Sequence, residues 1–516
     1  MLIRCAGFRC DLRGRAPQGL RRAGLCSLLV VWACLRHSGA SVGRSAWAEH
    51  YGTKSRYRDV SQGEDSWLPP ARCTQLQLNG LIRHGTRYPT RKNVPRMLEV
   101  HQLVKELGDT GLDLVQALAA WNMWYHEWMD GNLHPLGVSD MAQLAERLAA
   151  GFPRLLAPQS FLENRVKFLT SSKHRCVNST QSFIRGLERH LGLRVEAADQ
   201  WEVDDGLLRF FDSCQKFVSL VGNNGTALHQ VEVFKTGPEM ERVIQKMAQK
   251  LGVLPEAISI EMVEATFYLC TYEFILKGIV SPWCDLFDKE DVEVLEYLGD
   301  LKQYWKRSYG YEINGLSSHK LFQNIFQYMD QTIEENERKE SISHTAVLRF
   351  GHAETLLPVL TLMGYFKDEH PLLANNFEEQ KNRKFRSGQI SPFAANLIFV
   401  LYHCNESQSI GEKYKLQLFL NEKPLPFPQN GSLVADYDEV KNHYQHLIDT
   451  LKFSNFVVFC TLVERPSSCD LPSILIIVII HYGFFEYICR KINLRVVYGD
   501  IYSMYFDNKF TLNLQI

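Results

Sequence analysis

Gln75-Leu76-Gln77-Leu78-Asn79-Gly80-Leu81-Ile82-Arg83-His84-Gly85-Thr86-Arg87-Tyr88-Pro89 is the stretch on which the reading of this chain turns. A β-rich run from Gln75 to Ile82 breaks abruptly at Arg83-His84-Gly85, and two further segments repeat that design. Arg165 to Thr170 breaks at Ser171-Ser172-Lys173-His174-Arg175, ahead of a helix whose apolar positions Phe183, Ile184, Leu187 and Leu191 follow a 3.6-residue period. Ala346 to Phe350 breaks at Gly351-His352-Ala353-Glu354, ahead of an apolar helical run from Leu356 to Leu362. Strand, polar turn and helix in repetition predict an α/β fold, a mostly parallel sheet flanked by helices. In each segment the unusual polar residues follow the carboxyl end of the strand. Open α/β sheets bind ligands there, where free N–H groups at helix N-termini favour anions.

The intervening sequence has helical periodicity around 113–125, 140–150, 240–251 and 292–305, which predicts an inserted, mainly helical second lobe over about 92–165 and 190–340. Residues 396–402 and 415–420 read as further strands. The domain so assembled spans 73–451, after an N-terminal segment at 41–72.

The chemistry sits in Arg83 to Pro89. Two guanidinium groups flank a histidine in a tight glycine turn, an arrangement suited to a phosphoryl group. Arg grips two phosphate oxygens through its planar fork and stays charged at any working pH. Gly85 permits close backbone approach. His84 can attack phosphorus through a neutral imidazole nitrogen, forming a phosphohistidine that water then hydrolyses. The bland alternative is a surface loop with two solvated arginines. Five fixed positions, R-H-G-x-R-x-P, arise by chance in roughly one chain of this length in several thousand, which favours function. Arg175 and Lys173 lie at a strand end and helix start suited to an anion, while His352 and Glu354 equally suit an ordinary N-terminal helical turn. Arg91, Lys92 and the run Lys381, Arg383, Lys384 and Arg386 could extend the positive field, although charge runs are usually solvated faces.

These residues resemble the histidine acid phosphatases, the branch-two histidine phosphatases. The hallmark is Arg83 to Pro89, joined by a distant second arginine, Arg175, and a late His-Ala-Glu element, His352-Ala353-Glu354. Tyr304-Trp305-Lys306, Phe234-Lys235-Thr236-Gly237-Pro238 and Arg386-Ser387-Gly388 are similar to members of the family that act on inositol polyphosphates. The resemblance runs from about Tyr51 to His446. It implies His84 as nucleophile, Glu354 as the acid that protonates the leaving hydroxyl, and Arg83, Arg87, Arg175 and His352 as holders of the phosphoryl oxygens. Lys173 is a further candidate for substrate binding. Neither metal nor cofactor is implied, because the cationic side chains take a metal's place. The implied substrates are small polyphosphorylated molecules: inositol hexakisphosphate and pentakisphosphates, with 2,3-bisphosphoglycerate as a further one. The competing readings are a broad-specificity acid phosphatase and a non-catalytic or unstable variant with a divergent C-terminus. Retention of both nucleophile and acid argues against a dedicated binder, which needs neither.

The chain has 516 residues, 45% of them hydrophobic and 22% charged, with a formal net charge of -1. That balance excludes a global field that gathers nucleic acid or anionic membrane, so an anionic ligand must be held by a local basic cluster. Arg4, Arg9, Arg13, Arg15, Arg21 and Arg22 precede an apolar run from Leu25 to Leu35, and residues 1–40 read as a secretory signal peptide. A mitochondrial presequence is the alternative of similar composition. Sequons at Asn178, Asn224, Asn405 and Asn430 are glycosylation candidates for such a route. Cys73, Cys176, Cys214, Cys270, Cys284 and Cys404 are too widely spaced for a zinc site and predict a few disulfides, with the pairing open. Residues 452–516 form an atypical apolar tail. Its run 473–489 is interrupted by His481 and Glu486, which argues against a membrane helix. The inositol polyphosphate members end in an endoplasmic reticulum retrieval tetrapeptide, whereas this sequence ends Asn513-Leu514-Gln515-Ile516, leaving retention versus secretion open. Oligomeric state is not legible.

Overall fold

Among the described residues, eight strands form one sheet: β1 (Cys73–Arg83), β2 (Val166–Thr170), β3 (Trp201–Val203), β4 (Ala346–Gly351), β5 (Asn396–Cys404), β6 (Tyr414–Leu420), β7 (Lys423–Pro424) and β8 (Val434–Asp436). Their order is β3-β2-β4-β1-β5-β6-β7, with β8 beside β6. The computed structural model describes residues 46–61, 67, 69–108, 110–193, 201–405 and 413–449, all within one unit, Met1–Thr461. The expected leader at 1–40 and the tail at 452–516 lie outside the described residues. No described helix is long and apolar enough to cross a membrane.

The sheet is mixed, and its parallel half carries the three polar turns. β3, β2, β4 and β1 run parallel, whereas β5 to β8 continue antiparallel. Arg83 pairs with Gly351, and Thr170 with Phe350, so β1, β2 and β4 end at one level. Segments far apart in sequence therefore emerge side by side on one edge.

Parallel strands covered on both faces are buried throughout, which is why β4 reads as a nearly unbroken apolar run. Alternation along the strands divides the core in two. Leu78, Ile82, Leu348 and Phe350 face α1 (Pro135–Gly151) and α2 (His174–Leu191), against Leu144, Leu148, Phe183 and Leu187. Leu81, Val347, Leu397 and Phe399 face the larger core. It includes α3 (Ile260–Lys277), α4 (Lys289–Arg307), α5 (His319–Glu337) and α6 (Ala353–Leu362). Helix α3 is buried on nearly every side, so it carries no amphipathic stripe to read from sequence.

Several polar groups within these layers pair with one another. Gln77 donates to the hydroxyl of Thr332 at 2.6 Å, and Arg349 donates to Asn79 and Asn324 at 3.0 and 2.8 Å. Disulfides join Cys73 to Cys404 and Cys270 to Cys284, while Cys176 is a buried free thiol.

Candidate active site

The turn after β1 is held by a glycine pair. Gly85 lies against Gly137 of α1, so close that a Cβ on Gly85 would sit 2.5 Å from the Gly137 carbonyl oxygen. The approach that Gly85 permits is thus to a helix backbone. The Gly85 N–H donates to Ser179 of α2 at 3.1 Å, and buried Thr86 donates to Asp140 of α1 at 2.8 Å. Two helices behind the sheet therefore fix the loop from which His84 and Arg87 project, just past Arg83 at the end of β1.

His84 is buried, and its Nδ1 lies 3.0 Å from the Gly85 carbonyl oxygen. A carbonyl only accepts, so Nδ1 carries the proton and Nε2 keeps its lone pair. Burial, then Arg83, Arg175, His352 and Arg87, push its pKa well below the usual histidine value, keeping the ring neutral.

Arg83 donates to the carbonyl oxygens of Thr53 and Ser391, each at 2.6 Å, and its guanidinium lies 4.7 Å from the Phe393 ring centroid. Arg87 donates to the Tyr88 carbonyl at 2.7 Å. Arg175, in the first turn of α2, donates to Nδ1 of His352 at 3.3 Å. The Nε of Arg83, Arg87 and Arg175 is in each case buried without a protein acceptor. Buried donors are nearly always paired, so three such nitrogens close together mark a place for an anion. Burial and the other guanidinium groups lower the pKa of Arg83 to about 9.

His352 caps α6, its ring centroid 5.6 Å from that of His84. It accepts from Arg175 at Nδ1, so Nε2 carries the proton and donates to Ser171 at 2.9 Å. Burial foremost, with Arg175, Arg209 and Arg83 adding, lowers its pKa to about 3 despite Glu354. Glu354, in the first turn of α6, accepts from Arg307 of α4 at 2.7 Å. Burial alone would raise its pKa, but Arg307, His352 and Arg83 hold it far below the usual carboxylate range.

Of the residues expected at the site, His84, Arg83, Arg87, Arg175, His352 and Glu354 come together. Lys173 is exposed at the N-cap of α2, where its carbonyl accepts from Cys176 and Val177 while its side chain makes no hydrogen bond or ion pair. Of the sequons, Asn178, Asn405 and Asn430 are exposed, and Asn224 is half-buried with its oxygen accepting from Thr226. The basic run at 381–386 is mainly structural: Arg383 pairs with Asp300 at 2.6 Å and Arg386 with Glu296 at 2.6 Å.

Sequence reading missed a second set of cations. Burial, then Arg87 and Lys302, lower the pKa of Lys54 to about 7. Lys302 and Lys306 are also depressed, first by burial, with Arg307 and Lys92 among the further causes. Lys306 carried a faint signal in Tyr304-Trp305-Lys306. Lys54 carried none, since it comes from a single turn of helix at Gly52–Lys54.

Residues 76–421 match the histidine phosphatase superfamily (branch 2). The chain is 44% identical to multiple inositol polyphosphate phosphatase 1 of Homo sapiens, over 88% of this chain and 99% of that one. It is also 44% identical to the Gallus gallus protein of the same name, over 86% and 97%. Among solved structures, the phytase of D. castellii superposes with a TM-score of 0.64 at 16% identity, covering 81% of this chain and 87% of that one. The Bifidobacterium longum multiple inositol polyphosphate phosphatase, in complex with inositol hexasulfate, gives 0.61 at 14% identity, over 78% and 98%.

Proposed function

The chain belongs to the histidine phosphatase superfamily, branch 2, and on that premise we propose that it hydrolyses inositol polyphosphates through a covalent phosphohistidine. One observation carries the reading: Arg83, Arg87 and Arg175, each with a buried Nε that no protein acceptor meets, all act on one buried imidazole whose Nε2 lone pair is free. His84 attacks phosphorus through Nε2. The three arginines hold the equatorial oxygens, a task that phosphoryl transfer reduces to positioning and electrostatics. His352 joins them by turning its Nε2–H from Ser171 to a phosphoryl oxygen. Glu354 protonates the departing ring oxygen, a contribution of about 10²–10⁴ for so poor a leaving group.

The preference for densely phosphorylated substrates is supported by Lys54, Lys302 and Lys306, whose pKa values are lowered first by burial and further by neighbouring cations, a positive charge that a polyanion relieves. The 44% identity to proteins named multiple inositol polyphosphate phosphatase supports the same substrate class. A secretory route is supported by the leader's composition and by two disulfides. Loss of mass on treatment with an N-glycosidase is the expected check.

The test of the chemistry is trapping with labelled inositol hexakisphosphate. An acid-labile, alkali-stable adduct is expected on His84 and absent from His84→Ala. Label on another residue, or turnover by His84→Ala, overturns the mechanism.

A further inference from the structure

Glu354 cannot donate a proton in the state the structure shows. Its Oε1 accepts from Nη2 of Arg307 at 2.7 Å, and Arg307 is itself steadied by Gln303 one turn back, 3.0 Å from Nη1. A guanidinium N–H donated to a carboxylate favours the ionised form. The other charged groups around it reinforce that preference, Arg83 from β1, Arg175 from α2 and Lys306 from α4, while neutral His352 lies on its own turn. Asp212 is the acidic member of the surroundings. The acid is therefore stored in its inactive form, and something must free it.

The neighbourhood indicates what does so. Glu354 and Arg307 share the wall of a cavity of ≈ 410 Å³ with Lys306, Asp212 and Phe211, none of which belongs to the ring around His84. Glu354 is common to both places. A substrate held by its reacting phosphate at His84 extends past Glu354 toward Lys306 and Arg307, provided it carries a neighbouring phosphate to be held there. Phosphate offers the guanidinium three oxygens and a larger charge than a carboxylate does, so it competes for the fork.

We propose that Arg307 is a positioning residue that keeps Glu354 an idle carboxylate until a second phosphate of the same substrate draws the guanidinium away. The proposal rests on the reading of Glu354 as the acid and deepens it, making general-acid catalysis conditional on adjacent phosphates. Once released, Glu354 takes a proton from solvent or from a monoprotonated substrate phosphate. The Nε2 lone pair of His84 then forms the N–P bond as the P–O bond breaks. The electron pair of that bond stays on the ester oxygen, which takes the proton from Glu354. Water hydrolyses the phosphohistidine with Glu354 accepting its proton, giving inorganic phosphate and protonated Glu354, which returns its proton to solvent as Arg307 closes on it again. A monoester of similar leaving group has nothing to offer Arg307 and meets the acid in its locked state. Selection for polyphosphates thereby enters kcat as well as KM.

The experiment compares Arg307→Gln, Arg307→Lys and Glu354→Gln in the full chain, with inositol hexakisphosphate, glycerol 2-phosphate and 4-nitrophenyl phosphate as substrates. For Arg307→Gln, kcat/KM on the hexakisphosphate falls about 10- to 100-fold, the worth of one charge-assisted contact. On glycerol 2-phosphate kcat rises several-fold, and the alkaline limb of its pH profile moves to higher pH as the acid is unlocked. Arg307→Lys keeps the charge without the fork and lies between. A parallel fall on both substrates, or an unmoved glycerol phosphate profile, overturns the proposal. Should Arg307→Gln not fold, Arg307→Lys decides by the same opposition of signs. Glu354→Gln tests the underlying reading separately: added to Arg307→Gln, where the acid is unlocked, it must slow glycerol 2-phosphate more than 4-nitrophenyl phosphate. Equal slowing removes Glu354 as the acid whatever Arg307 does.

Discussion

Gly85→Ala is the smallest change that tests how the site is positioned. The glycine has no positive φ, so alanine meets no backbone penalty and the whole effect comes from contact. The added Cβ would lie 2.5 Å from the oxygen of Gly137, 2.9 Å from its Cα and 3.0 Å from its carbonyl carbon. Ordinary contact begins at 3.4 Å, so the loop must recede from α1 by about 0.9 Å, since rigid packed backbone on both sides leaves nothing softer to give. Overpacking of this kind costs ~1–3 kcal/mol of stability. Because His84 and Arg87 sit on the displaced loop, while Arg175 and His352 do not, the ring opens by nearly the same distance. Misplacement on the order of 1 Å costs about 10²-fold in rate. The expected result is a kcat/KM on inositol hexakisphosphate down by about two orders of magnitude, with a melting temperature only a few degrees lower. Gly137→Ala attacks the same contact from the helix, where its Cβ would meet the Thr86 oxygen at 2.2 Å. Alanine also improves helix propensity there by about 1 kcal/mol, yet the activity loss should match. The two changes displace one loop from one helix, so the double variant should lose far less than the product of the singles. Gly85→Ala with kcat/KM within about threefold of the parent and unchanged melting would refute the claim that this glycine pair sets the geometry.

Three further outcomes follow from the same packing. Arg383→Ala strands the buried Asp300 carboxylate, 2.6 Å from the guanidinium, and should cost ~3–5 kcal/mol in thermal or denaturant unfolding, partly recovered by adding Asp300→Asn. His352 stays neutral in the fold down to about pH 3 but binds a proton near 6.5 when unfolded, so it makes stability fall as pH drops through that window. His352→Gln should flatten the dependence of unfolding free energy on pH between 6 and 4 by up to ~1.4 kcal/mol per pH unit. Cys404→Ser releases the bond that ties Cys73 at the start of β1 to β5, and should lower stability by ~2–5 kcal/mol with little change in kcat, since that bond lies at the far end of β1 from Arg83.

What could be read in advance was what repeats or what is rare. The three strand-turn-helix segments announced themselves because strands buried on both faces leave apolar runs, and a helix packed on one face leaves a period, as Phe183, Ile184 and Leu187 do. R-H-G-x-R-x-P was legible as chemistry because its residue types are costly to place without a ligand. Helix α3 was not legible, since burial all round erases the stripe on which periodicity depends. The partners of recognised residues were no more visible. Gly137 is one small residue in an alanine-rich helix, Lys54 comes from a single turn near the start of the fold, and Arg307 lies 47 residues before the carboxylate it holds. Each matters only through proximity, which one sequence does not encode. Lys173 shows the converse. Its place beside Arg175 suited an anion, but the N-cap position turns its side chain to solvent.

Two buried arginines in neighbouring strands show why unmet hydrogen bonds, more than charge, identify the site. Arg83 and Arg349 lie on β1 and β4, are almost fully buried, and have pKa values lowered to about 9. By charge alone they are equivalent. Every nitrogen of Arg349 meets an acceptor, from Asn79, Asn324 or the Val347 carbonyl, so its environment is complete and leaves nothing for a ligand. Arg83 spends Nη1 on two carbonyl oxygens and leaves Nε without one. The same deficiency recurs at Arg87 and Arg175, which with Arg83 act on one imidazole, and also at Arg165, which precedes β2 at the end of the strand away from the site. A single unmet donor is a tolerable imperfection of packing, worth about 1–3 kcal/mol. Three on cations around one imidazole are a standing cost to folding that a bound phosphoryl group removes, and that cost is the form in which the fold stores preorganisation for catalysis.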